Sequence, residues 1–471
     1  MTAAVRRSGR LAVGLSAALL AAGPPVRLTA QDSSAVDRGV RIGILYRPGV
    51  RPGMVVLTRR APVLDSVRLI VARDIDYSDR FELITLPGGD SIRLAAPSAP
   101  GPSPAAGTGT GKATGGAAAA AGLNYPLYQA LGADFAVAVT PAGADTTVIT
   151  VHDVAAGAVR RELRARLPPL ADPGFRMAVH RLSDRVLEAT LGAPGIAATR
   201  VLFVMDGKVY VIDQDGADRR LVSSTDHAAL SPAWGGDGRR FSYMEFWEGH
   251  GRLFVQDVAT GKRAPVVTTG QALDFTPAFS PDGKTLAFSR ATEEGTDVYA
   301  VNSKEGCCLQ RLTVGRFYDN LSPTYSPDGQ RIAFVSTRAG LPQIYVMAAD
   351  GTDQQLFAPF DYGATGSSNA PEWSPDGQAV AFHRDVGGTL QVFVLDVRTR
   401  AVRQLTSVGR NEDPTWAPDS RHMAFVSDRS GYRQLWIIDL ETGRIRPLLQ
   451  QSGARLPAWS PRLPETAPST P

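Results

Sequence analysis

The chain has 471 residues, 43% of them hydrophobic, with 50 Lys or Arg residues against 46 Asp or Glu residues. This length exceeds what a single hydrophobic core supports, so it predicts two domains with tails. Four of the basic residues precede Ala30 in a stretch without any acidic residue, and the rest of the chain is therefore balanced in charge. A balanced charge excludes electrostatic recruitment to nucleic acid or to an anionic membrane as the basis of function.

Residues 1–30 have the pattern of a secretory signal peptide. Arg6, Arg7 and Arg10 precede an apolar run from Leu11 to Ala22, which at 12 residues is too short to span a bilayer. Cleavage is expected after Ala30. The general export route is favoured over the twin-arginine route, because the residues after Arg7 match the twin-arginine pattern poorly.

Residues 31–194 are predicted to form an α/β domain, because alternating strand and helix patterns replace any repeat there. A helix that ends at Gly192 is expected to have Asp172 as its N-cap. Residues 95–122 are almost entirely Ala, Gly, Pro, Ser and Thr and are predicted to be a disordered insertion, as is the tail 463–471. The predicted strands are Arg41–Tyr46, Met54–Leu57, Phe81–Thr85, Phe135–Thr140, Thr146–Asp153 and Arg160–Leu167, and the predicted helices are Val63–Ile75, Tyr125–Leu131 and Pro173–Leu191.

Residues 195–462 contain six copies of a motif in which proline, any residue and an aromatic residue precede a tight turn. The aromatic residues are 45, 46, 48, 43 and 43 residues apart. A strand-rich repeat with this period predicts a six-bladed β-propeller with one copy in each blade. The copies are Pro232–Gly238, Pro277–Gly283, Pro323–Gly329, Pro371–Gly377, Pro414–Ser420 and the shorter Pro457–Pro461.

The two ends of the repeat region are predicted to complete one blade. The last copy ends at Trp459 with a first strand and no strands after it. The segments Val201–Val204, Val209–Asp213 and Arg220–Val222 supply later strands with no first strand before them. Pairing these two parts would close the ring and leave no open sheet edge.

Two sets of recurring side chains are expected to be structural. The aromatic residues are interpreted as packing between blades. The acidic residues of the turns are interpreted as turn formers, because Asp tolerates the central turn positions. The first set is Trp234, Phe279, Tyr325, Trp373, Trp416 and Trp459, and the second is Asp282, Asp328, Asp376 and Asp419.

Motifs that would indicate an enzyme are not found in the sequence. It has no G-x-S-x-G nucleophile elbow, no phosphate-binding loop and no pair of histidines at metal-ligand spacing. The only cysteines, Cys307 and Cys308, are adjacent and are expected to be two thiols, because a bond between neighbours requires a strained peptide. We therefore predict no catalysis, no cofactor and no metal.

Polar residues just before each Pro-x-aromatic segment are the candidate binding site. In a propeller the strand that carries the aromatic is innermost, so these residues are predicted to ring one mouth of the central channel. They would offer a docking surface for a protein, or else they simply cap strand ends with solvated loop polarity. The candidates are Asp274, Asp319, Asn320, Ser368, Asn369, Arg410, Asn411, Glu412, Asp413 and Arg455.

Several segments resemble the TolB family, the periplasmic component of the Tol–Pal envelope system. The resemblance extends over most of the chain after the predicted signal peptide. The segments are Asp65–Leu83 and Ala178–Val204 in the α/β domain, and Leu230–Gly261, Arg338–Gly351, Asn369–Gly377 and Asn411–Ser420 in the propeller.

The resemblance implies a monomeric, non-enzymatic adaptor that supports outer-membrane integrity and constriction during cell division. It implies that a Pal-like lipoprotein binds at the channel mouth and links the chain to the outer membrane. It also implies that a TolA-like inner-membrane protein binds the segment Gln31–Ile42, with Val40, Arg41 and Ile42 as the contacts.

The chain also departs from the family pattern at several positions. The first turn reads GGDG instead of SPDG, and Thr337 replaces the family's Asp in one blade, whereas Asp428 keeps it in another.

Two other functions stay open. A secreted propeller enzyme or accessory domain, peptidase-related or lactonase-like, would show converging titratable groups or a metal in the channel. A glycan binder would show exposed aromatic residues at the mouth, where Tyr318 and Tyr362 are the candidates.

Overall fold

A computed structural model describes residues 51–58, 61–85, 123–143, 146–223, 225–266, 272–360 and 366–464. All of them fall within one compact unit, Gly49–Pro471. The predicted signal peptide, the segment with Val40, Arg41 and Ile42, the strand at 41–46, the insertion at 95–122 and residues 465–471 of the tail lie outside the described residues. Among the described helices, none combines the length and the apolar character that a membrane span requires.

The N-terminal α/β domain has a five-stranded sheet in the order β2-β1-β3-β4-β5. Strand β1 pairs in parallel with β2 and β3, and β3, β4 and β5 pair antiparallel. Helices α1 and α3 contact each other, and their buried apolar residues share one core with the sheet. The elements are β1 Gly53–Thr58, α1 Pro62–Tyr77, β2 Glu82–Leu83, α2 Tyr125–Ala130, β3 Phe135–Pro141, β4 Thr146–Asp153, β5 Ala158–Arg166 and α3 Phe175–Leu191.

The predicted elements of this domain are present with shifted ends. The predicted start of α3 is wrong, because the helix begins at Phe175 and Gly174 is its N-cap. Asp172 instead accepts a hydrogen bond from the Gly174 N–H at 2.6 Å, so it stabilises the turn before the helix. Gly192 ends the helix as predicted, with the left-handed φ of 77° that glycine adopts without steric cost.

The rest of the described chain forms a β-propeller of antiparallel strands, as predicted. It contains one eight-stranded sheet, joined at its middle by the single residue pair Gly251–Leu273, and four four-stranded sheets. The eight-stranded sheet holds β9 Ala228–Trp234, β10 Arg240–Trp247, β11 His250–Asp257, β12 Arg263–Pro265, β13 Leu273–Phe279, β14 Thr285–Thr292, β15 Gly295–Asn302 and β16 Gln310–Arg311.

The four-stranded sheets each place the Pro-x-aromatic strand first, followed by a second, a third and an outer strand. The outer strands are short, as Val402–Gln404 shows with three residues. The strands are β17 Asn320–Tyr325, β18 Arg331–Ser336, β19 Gln343–Ala348 and β20 Gln355–Leu356; β21 Ser368–Trp373, β22 Ala379–Val386, β23 Thr389–Asp396 and β24 Val402–Gln404; β25 Asn411–Trp416, β26 His422–Ser427, β27 Gln434–Asp439 and β28 Ile445–Leu449; and β29 Arg455–Trp459, β6 Arg200–Met205, β7 Lys208–Asp213 and β8 Arg220–Leu221.

The first strands lie side by side in a closed circuit. Strands β9, β13, β17, β21, β25 and β29 contact one another in this order, and β29 contacts β9. Trp373, Trp416 and Trp459 are buried, each in an apolar cluster that joins its own sheet to the preceding one. This confirms that these aromatic residues pack between sheets.

The last strand completes the sheet that begins with β6, as predicted. Trp459 pairs with Val201 and Arg455 pairs with Val204. The Ser460 N–H also donates to the Arg200 carbonyl at 2.8 Å. The two ends of the propeller are therefore held by strand pairing.

The turns after the aromatic residues show why Asp recurs there. In the second copy, Asp282 accepts hydrogen bonds from the Ser280 hydroxyl at 2.7 Å and from the Lys284 N–H at 3.1 Å. Gly283 has a φ of 69°. In the fifth copy Ser420 takes the same conformation, with a φ of 55°, although it carries a side chain. The interpretation of these Asp residues as turn formers is confirmed.

The α/β domain packs on one end of the propeller through ion pairs and hydrogen bonds of two arginines. Arg444 donates to Asp76 at 2.8 Å and to Asp79 at 2.9 Å. The Arg421 guanidinium donates to the Asp79 carbonyl at 3.0 Å. Arg421 lies in the turn between a first and a second strand, and Arg444 lies in the turn between a third and an outer strand. Antiparallel pairing places both kinds of turn at the same end of the propeller. The opposite end is free of the α/β domain among the described residues.

We predict that Trp459→Ala weakens the closure of the ring. The substitution removes a buried ring and the hydrogen bond from its Nε1 to the Thr199 hydroxyl at 2.8 Å. The free energy of unfolding is expected to fall by roughly 3–5 kcal/mol, as for other buried aromatic residues. Chemical denaturation followed by circular dichroism measures it. Trp247→Ala, at an exposed turn, is the matched control and should cost less than about 1 kcal/mol; equal losses would contradict the role of Trp459.

Candidate functional site: the central channel and its open rim

Every first strand of the propeller is interrupted at the residue before its proline. The pairing register with the second strand shifts there in each case, which is a β-bulge. The residue before the proline has a left-handed φ, which is a strained conformation for a residue with a side chain. These residues and their φ values are Ser231 51°, Thr276 47°, Ser322 54°, Ala370 51°, Asp413 52° and Leu456 51°.

The bulged residues and the prolines after them line a central channel of about 500 Å³. Since the bulge repeats in each first strand, the lining is a ring of short side chains and proline rings. Glu372, His383 and Asp413 are the carboxyl and imidazole side chains in this lining. Titratable groups in the channel are the feature expected of the alternative, a propeller enzyme, so their environment is described next.

The three titratable groups are held by neighbouring strands. The Asp413 N–H donates to Nδ1 of His383 at 3.1 Å, so this nitrogen is an acceptor and carries no proton. Burial, together with the charge of Arg410, lowers the pKa of His383 to about 4, which keeps the ring neutral. Glu372 accepts hydrogen bonds from the Thr415 hydroxyl and from the Trp416 N–H, both at 3.0 Å.

Both carboxyl groups are shifted toward their neutral form. Burial, with the charge of Glu412 nearby, raises the pKa of Asp413 to about 7. Burial also raises the pKa of Glu372 to about 7. A desolvated carboxyl group disfavours its charged form, so the channel carries less negative charge near neutral pH than its composition suggests.

The hydrogen bond from the Asp413 N–H to His383 has an equivalent in another repeat, where no titratable side chain takes part. The Ser322 N–H, at the equivalent bulge of another first strand, donates to the Ser289 hydroxyl at 2.9 Å. In both cases a bulged N–H is bound by a side chain of the preceding repeat. Among the described residues, no Ser, Thr or Cys side chain is hydrogen-bonded to His383, so it activates no nucleophile there.

Four of the predicted mouth residues are buried, and the expectation that they are surface contacts is wrong. Asp274, Asn320, Ser368 and Asn411 have at most 1% of their surface exposed. A polar side chain at this depth must be hydrogen-bonded, and each of these four binds the guanidinium of an arginine. Asp274 forms a two-pronged ion pair with Arg290 at 2.7 and 2.9 Å.

The sequence reasoning missed these arginines. Each arginine lies near the end of a second strand or just after it. Its guanidinium contacts the beginning of the first strand and lies over aromatic rings of the same sheet. A planar guanidinium suits both contacts. The signal that could have found them is their recurrence at intervals of 45 to 48 residues. The pairs are Arg290 with Asp274, Arg338 with Asn320, Arg384 with Ser368, and Arg429 with Asn411.

The other predicted mouth residues lie nearer the surface. Glu412 is bound on both sides, by Arg410 at 3.0 Å and by Arg433 at 3.2 Å. Asp319 accepts a hydrogen bond from the Thr296 N–H at 3.2 Å. Asn369 is partly exposed and lines the channel, and Arg455 is exposed. Asp413, described above, completes this set.

Exposed apolar side chains surround this end of the propeller. They lie in loops before first strands or between second and third strands, which antiparallel pairing places at one end. We call this set the open rim. Its most exposed members are Phe317, with 96% of its surface accessible, and Tyr432, with 68%. The open rim consists of Trp247, Val314, Phe317, Leu341, Val408 and Tyr432.

Of the two aromatic candidates for glycan binding, Tyr318 lies within the described residues and is not among the exposed residues of the rim. Tyr318 is half-buried, its hydroxyl donates to the Val314 carbonyl at 3.1 Å, and Arg338 lies 5.1 Å from its ring centre. Tyr362 lies outside the described residues.

Two groups of side chains at the interface between the domains have a spacing that could hold a cation. One is Asp74, His180 and Asp215, and the other is Asp79, His422 and Asp439. Arginines already neutralise their carboxylates: Arg73 and Arg176 pair with Asp215, Arg421 with Asp439, and Arg444 with Asp79. These groups are therefore ion-pair networks between the domains.

The histidines of these networks favour their charged form. Burial alone would lower the pKa of His180, but the charge of Asp74 and a hydrogen bond at 2.8 Å raise it overall. The pKa of His422 is raised in the same way, against the effect of burial, by Asp419 and Asp79. An imidazolium between carboxylates is a poor metal ligand, because the metal needs the neutral ring.

We predict that Asp413→Asn stabilises the chain above pH 7 and has little effect near pH 4. The folded pKa of about 7 exceeds the unfolded value near 3.9, so the folded state binds more protons between these values. The contribution of the protonated Asp413 carboxyl to the free energy of unfolding is therefore present at low pH and lost as the pH rises through 7. The gain at pH 8 is expected to be on the order of 2 kcal/mol, after allowance for partial exposure.

Chemical denaturation of both chains at pH 4, 6 and 8 tests this expectation. Asp353→Asn, at an exposed turn, is the control for the loss of a carboxyl group as such. A gain for Asp413→Asn that is equal at all three pH values would contradict the raised pKa.

The comparisons with known proteins agree with this architecture. The TolB beta propeller domain matches residues 187–463. The crystal structure of TolB from Acinetobacter baumannii superposes with a TM-score of 0.70, covering 88% of this chain and 98% of that chain at 23% sequence identity, which shows a shared fold.

Curated relatives match a shorter stretch. The Tol-Pal system protein TolB of Bordetella pertussis is 29% identical over 183 residues, or 38% of this chain and 41% of the relative. The protein of the same name from Bordetella bronchiseptica matches to the same extent. The chain thus spans about two fifths of the length of these relatives. Because the family match takes in every propeller repeat and more than half of the chain, this chain belongs to the TolB family.

Proposed function

We propose that the chain is a non-enzymatic periplasmic component of a Tol–Pal system. In this proposal it binds a Pal-like lipoprotein at the open rim and a TolA-like inner-membrane protein through residues 31–42. It thereby supports outer-membrane integrity and constriction during cell division, as a monomer attached to the outer membrane only through its partners. The observation that carries the proposal is the exposed apolar rim around the channel, on the propeller end that the α/β domain leaves uncovered.

The composition of the open rim supports docking of a protein. Phe317 and Tyr432 are large, exposed and rigid side chains of the kind that anchor protein interfaces. Contiguous exposed apolar residues are rare on a monomer unless they bind something. Arg410, Glu412 and Arg433 form a charged group beside them, which suits the polar border of an interface.

The channel supports a binding role more than a catalytic one. Glu372 accepts hydrogen bonds from the neighbouring repeat, the Asp413 carboxyl accepts one from the Leu456 N–H, and His383 is held neutral by burial. Partly neutral carboxyl groups also lower the cost of covering the channel with a partner, because less charge must be desolvated. The hydrogen bonds of these three groups thus link neighbouring repeats, which is a structural role.

The count of blades and the domain limits are part of the same proposal. We interpret the eight-stranded sheet as two blades joined by one residue pair, which with the four-stranded sheets gives six blades over residues 195–462. The α/β domain then spans residues 31–194. The contact with a TolA-like protein rests on the family resemblance of Val40, Arg41 and Ile42, which lie outside the described residues.

The rim proposal predicts that Phe317→Ala with Tyr432→Ala weakens binding of the same organism's Pal-like lipoprotein. Both side chains are exposed, so the fold should be unaffected, whereas loss of two interface anchors should reduce affinity at least about tenfold, or ~1.4 kcal/mol. Titration calorimetry with the lipoprotein's soluble domain measures this change. Leu221→Ala, an exposed apolar residue on an outer strand, is the matched control. Unchanged affinity of the double variant would remove the rim from the interface.

The N-terminal proposal predicts that a chain lacking residues 31–42 loses capture of the TolA-like protein. Binding of the Pal-like protein should be retained, because its surface is on the propeller. Co-purification from the periplasm, with each partner probed separately, gives both readings. Retained TolA capture by the shortened chain would contradict this part of the proposal.

A further inference from the structure

A pair of neighbouring thiols lies on the propeller surface, outside the channel and the rim. Cys307 and Cys308 are both free and exposed. They lie in the turn between the third strand β15 and the outer strand β16. This turn is at the end of the propeller opposite the open rim.

The backbone of the turn brings the two sulfur atoms together. Neighbouring side chains on extended backbone point in opposite directions, so adjacent cysteines do not normally meet. Here Cys308 has a left-handed φ of 64°, which is rare for a residue with a side chain. As a result the two Sγ atoms are 2.7 Å apart.

The turn is fixed by its own hydrogen bonds. The Asn302 side chain accepts hydrogen bonds from the Lys304 N–H at 3.0 Å and the Glu305 N–H at 2.8 Å. The Asn302 N–H donates to the Cys307 carbonyl at 3.0 Å. The close approach of the sulfurs therefore belongs to an ordered turn, and little additional ordering is needed to join them.

We propose that Cys307 and Cys308 are a redox-active dithiol, which a low-molecular-weight or protein disulfide oxidises to a bond between the two neighbours. Secreted compartments supply such oxidants, and the proposed periplasmic location is one of them. Both sulfurs are exposed, so an oxidant reaches them without local unfolding.

The exchange takes place in two steps. The thiolate of one cysteine attacks the oxidant's disulfide, which forms a mixed disulfide and releases one thiol. The other cysteine then loses its proton and attacks the sulfur of the first, which releases the second thiol. Two electrons and two protons leave the cysteine pair, and the oxidant takes them up as two thiols.

The environment of Cys307 favours its protonated form. The contact with Cys308, together with Glu305, raises the pKa of the Cys307 thiol. Its Sγ also donates to the Glu305 carboxylate at 3.6 Å. Cys307 must therefore lose its proton during the exchange, as the two steps require.

The resulting bond should be easy to reduce. Neighbouring Cα atoms are ~3.8 Å apart across a trans peptide, below the ~4.4–6.8 Å usual for disulfides. A disulfide that strains its surroundings is labile and exchangeable, unlike the structural disulfides of secreted proteins. The pair is thus suited to reversible oxidation.

The experiment treats the purified, reduced chain with oxidised glutathione and measures its mass without a reductant. We expect the chain to lose the mass of two hydrogens and to hold no glutathione. Trypsin cleaves after Lys304 and Arg311, so one fragment, residues 305–311, contains both cysteines and locates the bond. Reduced glutathione should restore the original mass.

Two variants separate this outcome from simple surface reactivity. Cys307→Ser and Cys308→Ser should each stop at a stable glutathione adduct on the remaining cysteine. Stable adducts on both cysteines of the natural chain, or a natural chain that keeps both hydrogens, would overturn the proposal. The measurement needs no partner, so its failure is distinct from a failure of the proposed function.

Discussion

Closure of the ring by pairing β29 with β6 is the constraint on which the rest of the propeller depends. Trp459 lies opposite Val201, so residues near the two ends of the propeller share one sheet. A ring of sheets has no free edge once this pairing forms, and every neighbouring pair of sheets can then bury its aromatic residues. Strand pairing over such a sequence distance costs loop-closure entropy, which the continuous packing between sheets must offset.

The channel exists because each first strand is bulged at the same place. The residue before each proline takes a left-handed conformation, a strain that persists only where the surrounding sheet enforces it. The bulge directs backbone N–H groups toward the preceding repeat, where Ser289 and His383 accept them. The polar groups of the channel are therefore part of the links between repeats, and this explains how carboxyl groups can be tolerated there in a largely neutral form.

The α/β domain gives the two ends of the propeller different roles. Arginines of the turns at one end pair with carboxylates of α1 and the residues after it, and this contact covers that end. The opposite end keeps its exposed aromatic and aliphatic side chains. In a TolB family member this asymmetry leaves one face available for a partner, while the cysteine pair lies at the other end, away from it.

The sequence by itself determined the propeller, the closing strand, the turn residues and most helices, because these follow from period, turn chemistry and apolar spacing. It did not reveal that Asp274, Asn320 and Asn411 are buried, since a repeat period fixes the register of a residue but not its depth. Only the tertiary structure decided which polar residues meet an arginine, which side chains form the open rim and that Cys307 touches Cys308. These depend on backbone conformation at single residues and on contacts between distant segments, which no local pattern records.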